Sequence, residues 1–218
     1  MNLLAIDTAT ECCSAALWVN GKIYHKFTIQ PRLHAEIILP FIDDLLCEAD
    51  VSKTDIQGLI VGQGPGAFTG VRIGVGVAQG LALALNIPVL AVSNLKTLAF
   101  SAYKNLNTQE KKTILVATDA RMKEVYSAKF SIQGNCIEQI SDEKVSSASD
   151  VTLTNVDAYI GSGFHVYKEL QSFASGFQMN YDTNVYSQAK DMLKMVQKDF
   201  SSLASKIDVI EPIYLREP

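Results

Sequence analysis

VGQGPGAFTGVRIGVGVAQGLALAL, residues 61 to 85, holds seven of the chain's 13 glycines and passes from an apolar strand through a glycine loop into an apolar helix. Glycine at a strand-to-helix junction permits left-handed backbone and close approach, which serves either to hold a phosphate or to pack helices. The phosphate motifs are absent. A Walker loop needs a lysine after its second glycine, yet no lysine lies between Lys53 and Lys96. Gly62, Gly64 and Gly66 give G-x-G-x-G, and Gly74, Gly76 and Gly80 give G-x-G-x-x-x-G, neither of which is the dinucleotide fingerprint. In the helix, Gly70, Gly74, Ala78 and Ala82 recur at a spacing of four and share one face, which lets another backbone come close. Val71, Ile73, Val75, Val77, Leu81, Leu83 and Leu85 make the helix apolar nearly all round, so it is buried on more than one side. One side meets its own sheet. The residues alone leave open whether the other meets the same domain or another chain.

The 218 residues fit one large domain or two small ones, and 48% hydrophobic with 19% charged residues is an ordinary globular balance. The net charge of −4 and the lack of any Lys/Arg cluster argue against a stand-alone RNA-binding surface. The apolar start before Asp7 is too short for a signal peptide or a membrane span, so a cytoplasmic protein without membrane contact is expected. Cys12, Cys13, Cys47 and Cys136 form no C-x-x-C pair, and His25, His34 and His165 are scattered. No metal site and no cofactor are expected from this chain alone.

Outward from the glycine stretch, the chain reads as one plan used twice. Leu3 to Asp7 is a short strand ending in an acid, and Ser14 to Val19 turns through Asn20-Gly21 into Lys22 to Ile29, a strong hairpin signal. An amphipathic helix follows over His34 to Ala49, with Ile38, Ile42 and Leu45 on one face and Pro40 inside it. Strands over Gln57 to Val61 and Pro88 to Val92 flank the glycine helix, and a further helix covers Asn94 to Tyr103. The polar stretch Lys104 to Lys112 reads as a linker, dividing the chain into 1–103 and 104–218, with the C-terminal segment able to return to the first part.

Beyond it, Ile114 to Asp119 is again a strand ending in an acid, and Glu124 to Ile132 leads through Gly134-Asn135 to Cys136 to Ile140. Asp7 lies 14 residues before Gly21 and Asp119 lies 15 before Gly134. The run Asp55-IQGLIV-Gly62-Gln63-Gly64 has its counterpart in Asp157-AYI-Gly161-Ser162-Gly163, and a helix over Ser187 to Phe200 precedes the end. Two such halves describe an α/β fold of two duplicated actin/Hsp70/sugar-kinase-like, that is ribonuclease H-like, subdomains.

The segments AIDTATECCSAAL (5–17), GPGAFTGVRIGVGVAQGLA (64–82), IPVLAVSNLKTLA (87–99), DARMKEVYSA (119–128) and PIYLR (212–216) closely resemble the TsaB family, also called YeaZ, over the whole chain. TsaB proteins are needed to make N6-threonylcarbamoyladenosine in tRNA. The resemblance implies a non-catalytic subunit that binds TsaD, the related catalytic partner, with TsaE in a larger complex and tRNA contacted only indirectly. In the TsaD pattern N-H-L-E-G-H, two histidines bind the catalytic metal. The matching residues here are Ser93-Asn94-Leu95-Lys96-Thr97-Leu98, so both histidines are replaced and the metal centre is missing.

The superfamily's phosphate glycines after the first-strand acid are also absent, leaving Asp7, Thr8, Thr10 and Asp119 as remnants of a nucleotide cleft. His34 is expected to bond to backbone, and Arg72 and Arg121 to form salt bridges. The resemblance further implies a four-helix interface with TsaD, or a homodimer when TsaD is absent, through Ile38, Ile42, Gly70, Ile73, Gly74, Val77, Ala78 and Leu81. The competing reading is an enzyme: a stand-alone metal-dependent glycopeptidase or an actin-class ATPase.

Overall fold

Residues 1–175, 186–206 and 209–216 are described in the computed structural model, in which contacts divide the chain into two units. The first comprises Met1–Asn94 and Ser187–Ile213; the second comprises Leu95–Tyr186 and Tyr214–Pro218.

In the first unit, β1 (Leu3–Asp7) and β2 (Cys12–Val19) form an antiparallel pair, and β3 (Lys22–Ile29) joins β2 through the predicted hairpin. Asn20 and Gly21 both have positive φ, 49° and 87°, as the favoured two-residue turn demands. After α1 (His34–Ala49), β4 (Gly58–Gly62) pairs parallel to β1, and after α2 (Phe68–Leu85), β5 (Val89–Val92) pairs parallel to β4. The order is therefore β3-β2-β1-β4-β5. Every residue of β1 and β4 is buried, as central strands covered on both faces require. Alternation sends Leu4 and Ile6 of β1, with Leu59 and Val61 of β4, toward Ile38, Ile42, Leu45, Val71, Val75 and Ala78 of the two helices. Each such fully buried Leu, Ile or Val side chain contributes about 1.5–3 kcal/mol.

The second unit takes α3 (Asn94–Asn105) from Leu95 onward, then β6 (Lys112–Asp119), β7 (Glu124–Gln133), β8 (Cys136–Gln139), β9 (Lys144–Ser147) and β10 (Ala158–Ile160). Its order, β10-β6-β7-β8, repeats the first sheet with β6 in the place of β1, and β9 pairs with β7. Ile114 and Val116 face α3, while Leu115 and Ala117 face Phe164 and Leu170 of the short helices α4 (Gly163–Val166) and α5 (Lys168–Ala174). Two sheets of one order, each flanked by helices, make this a duplicated ribonuclease H-like α/β fold.

Two sequence expectations are corrected and one strand is added. The division falls after Asn94, not at 103/104. Leu95, Leu98, Ala99, Ala102 and Tyr103 pack with Ile114, Val116 and Phe130, so the charged stretch 104–112 spans the end of α3, the loop after it and the first residue of β6. The expected 187–200 helix is two shorter ones, α6 (Ala189–Val196) and α7 (Phe200–Leu203), which lie with the first unit. There α6 packs on β1, β2 and β4, and a Cβ on Gly58 would strike the Phe200 ring. Strand β9 was not expected, because KVSS carries no apolar alternation to announce it.

Candidate functional site

Where β1 ends, the chain builds a buried polar knot. Asp7 is 1% exposed. Its carboxylate accepts from the Asn94 amide nitrogen at 2.9 Å on both oxygens, from the Ala9 backbone N–H at 3.0 Å, and from the Ser187 hydroxyl. The Asn94 amide also donates to Ser187 Oγ at 3.1 Å, and its carbonyl oxygen accepts the Gly64 N–H at 2.8 Å. Asn94 thus ties β1, the glycine loop and the returning C-terminal segment together. Burial nevertheless pushes the Asp7 carboxyl above the usual range, against the lowering effect of these donors. Gly62 is required beside the knot, since a Cβ there would lie 2.6 Å from Asp7 Oδ1 and 3.0 Å from the Asn94 amide.

The glycine loop is filled by the chain itself. The Ala67 N–H donates to the Ala9 carbonyl at 2.7 Å, and a Cβ on Gly66 would collide with that same oxygen. Gly64, at φ +97°, lies against the Ile213 carbonyl, and Ile213 N–H donates to Gln63 at 2.8 Å. The Ala9 carbonyl oxygen thus meets the N-terminal end of α2. Thr8 belongs to the same packing: its hydroxyl donates to the Gly70 carbonyl at 2.7 Å. Thr10 Oγ1 accepts from Cys12 N–H, and the Thr10 carbonyl bonds His34 Nε2 at 2.8 Å, the expected backbone role of that histidine. Beside them Cys13 is pushed up to about 12, and Cys12 is also raised, both chiefly by burial, so neither is a ready nucleophile.

The face of α2 carrying the small-residue stripe points inward. A Cβ on Gly70 would collide with the Thr8 carbonyl, one on Gly74 would lie 2.6 Å from Thr8 Oγ1, and Ala78 and Ala82 are buried in the same core. Ile38 and Ile42 are buried there as well. Of the residues expected at a partner interface, Gly70, Gly74, Ala78, Ile38 and Ile42 pack the unit's own interior; a spacing of four identifies a close-packed face but not its partner. Ile73, Val77 and Leu81 are half-buried at the edge of this core. The outward face carries a second stripe, Gly76, Gly80 and Ala84, with nothing within 4 Å of a Cβ on either glycine. Phe68 and Leu83 are exposed on this helix, with Arg72 3.6 Å over the Phe68 ring, and Leu33 and Leu39 are exposed on or beside α1. By length and composition α2 could cross a bilayer, but its inner face covers the sheet of its own unit.

In the second unit, Asp119 holds the place that Asp7 holds in the first. It accepts from Tyr167 OH at 2.7 Å and Arg121 N–H at 2.9 Å, and pairs with the Arg121 guanidinium at 3.4 Å. Tyr167 is pushed up to about 12, by desolvation first and then by this bond and the carboxylate's charge. Leu98, one of the two positions matching the metal histidines, is a core residue of this unit at 2% exposure. Its partner position, Asn94, has every amide proton engaged, so these residues do not fit a metal ion. Among the described residues no three His, Cys, Asp or Glu side chains converge.

A family model described as "TsaD: tRNA N6-adenosine threonylcarbamoyltransferase" matches residues 28–213. The chain is 37% identical to the tRNA threonylcarbamoyladenosine biosynthesis protein TsaB of Escherichia coli, covering 99% of this chain and 95% of that one. It is 34% identical to the Haemophilus influenzae protein of the same name, over 99% and 94%. The chain belongs to the TsaB (YeaZ) family. YeaZ from Pseudomonas aeruginosa superposes with a TM-score of 0.80 at 35% identity, over 98% of this chain and 99% of that one. A second structure, described as similar to peptidase YEAZ from Pseudomonas aeruginosa, gives 0.85 at 35% identity, over 99% of both. Among TsaB residues, sequence reading missed Ser187, Tyr167 and the structural task of Asn94. Each acts through contacts 48 to 93 residues away, which no local pattern announces.

Proposed function

We propose that this chain is a non-catalytic, cytoplasmic subunit that docks on TsaD in the complex transferring threonylcarbamoyl to tRNA adenosine, with TsaE as a further member and tRNA reached through its partners. The same face joins two copies of the chain when TsaD is absent. The observation that carries this reading is the outward face of α2. Gly76, Gly80 and Ala84 leave a smooth track beside Ile73, Val77 and Leu81, and the neighbouring Ile37 and Phe41 of α1 are half-buried. Small residues on an exposed helix let a second helix approach, and the flanking aliphatic groups supply area to bury. The absence of a metal donor pair at Asn94 and Leu98, and an Asp7 consumed by structural bonds, weigh against the glycopeptidase and ATPase readings.

Gly80→Glu tests the reading without threatening the fold. Glutamate is a better helix former than glycine by about 0.5–1 kcal/mol, and nothing stands in its way here. The variant is expected to fold fully by circular dichroism and to weaken binding to TsaD by at least about 2 kcal/mol, measured by calorimetry and sized by light scattering. Wild-type affinity in the folded variant would overturn the assignment.

A further inference from the structure

The turn joining β6 to β7 contains three successive non-glycine residues in the left-handed region: Arg121 at φ 65°, Met122 at 54° and Lys123 at 66°. L-residues visit this region singly, because Cβ crowds the following carbonyl; a run of three is strained backbone that its surroundings must hold in place. Two kinds of contact hold it. Within the turn, Ala120 N–H donates to the Glu124 carbonyl, Glu124 N–H donates to the Arg121 carbonyl, both at 2.9 Å, and Asp119 accepts the Arg121 N–H. Across it lies Arg216, from the far end of the chain. Its Nη2 donates to the Ala120 carbonyl at 3.1 Å and to the Glu124 carboxylate, while Nη1 reaches Met122 Sδ at 3.7 Å. One guanidinium therefore grips both ends of the turn and its tip.

We infer that Arg216 is a latch for a two-state loop: engaged, it keeps residues 121–123 left-handed with Met122 and Lys123 projecting outward; withdrawn, the loop relaxes. The tip it displays is prominent, Met122 being 81% exposed. The latch is accessible, since the Arg216 and Glu124 side chains keep 34% and 36% of their surface. An acidic group on another molecule can therefore compete with Glu124 for the guanidinium, and a partner that captures the C-terminal arginine changes the shape of a loop more than 90 residues earlier in the chain. This device does not depend on the interface proposed above, because both of its parts lie in the second unit.

Amide hydrogen exchange of the full chain tests it. Arg216→Ala should speed exchange of the Ala120 and Glu124 amides by roughly tenfold or more, as loss of a charge-assisted hydrogen bond implies, while amides in the middle of β6 and β7 keep their protection. Arg216→Lys, which cannot fork, should give an intermediate rate. Adding Lys123→Gly to Arg216→Ala should restore slow exchange, since glycine adopts the left-handed conformation without the Cβ clash. Wild-type rates in Arg216→Ala, a loss of protection spread evenly over β6 and β7, or failure of the glycine to rescue would each overturn the latch.

Discussion

Asp7 and Asp119 end equivalent strands of the two sheets, yet their surroundings have little in common. Asp7 is sealed among Asn94, Ser187 and the Ala9 amide, all in one unit and all engaged with it. Asp119 keeps 15% of its side chain in solvent and serves a phenol, a backbone amide and an arginine. A repeated backbone plan thus does not preserve the use of a repeated side chain. In the first unit the acid locks three chain segments, and in the second it supports a surface turn.

The difference predicts unequal responses. Asn94→Leu removes the donors on both Asp7 oxygens and orphans the Gly64 N–H; it should cost about 3–5 kcal/mol in chemical denaturation, or prevent folding. Gly62→Ala forces a methyl group against Asp7 Oδ1 and should cost about 1–3 kcal/mol, with the Asn94 side chain displaced in a crystal structure.

The raised Asp7 carboxyl makes stability depend on pH in a fixed direction. The native state keeps a proton that the unfolded chain releases near the ordinary carboxylate value. Asp7's contribution is therefore complete below that value and is lost as pH rises through the raised native one. Thermal melts across this window should show wild type declining and Asp7→Asn declining less; parallel curves would refute the linkage. A substitution beside Asp119 should cost less. Tyr167→Phe should cost about 1 kcal/mol and remove a late-ionising phenol from an ultraviolet titration, because wild-type Tyr167 is held up to about 12.

Much of the fold was legible because its signals are local. The Asn20-Gly21 turn, the strand from Leu3 to Asp7 and the helix from His34 to Ala49 each carry their own pattern, and the repeat of strand-acid, hairpin and G-x-G gave the duplicated sheets. What was misread is relational. The stripe Gly70, Gly74, Ala78 correctly marks a close-packed face, but periodicity cannot tell whether Thr8 of the same chain or a foreign helix fills it. Asn94 stood out only as a missing metal ligand; that its amide binds Asp7 and Ser187 depends on segments brought together by folding alone. The charge of 104–112 suggested a boundary, whereas the hydrophobic side of α3 had already committed to the second sheet.

The first unit is split in the sequence, and this sets a timetable for its birth. Residues 1–94 emerge from the ribosome with the far face of β1, β2 and β4 bare and with Asp7 lacking its Ser187 bond; Met192, Leu193 and Phe200, which lie in the returning segment, come only at the end. At typical rates of about 5–20 residues per second, that exposure lasts on the order of 5–20 s. The second unit, although made later, has nearly all its residues before the first is complete. Vectorial synthesis therefore lets most of the second unit assemble while the nascent sheet from β1 to β5 still waits for its second covering layer.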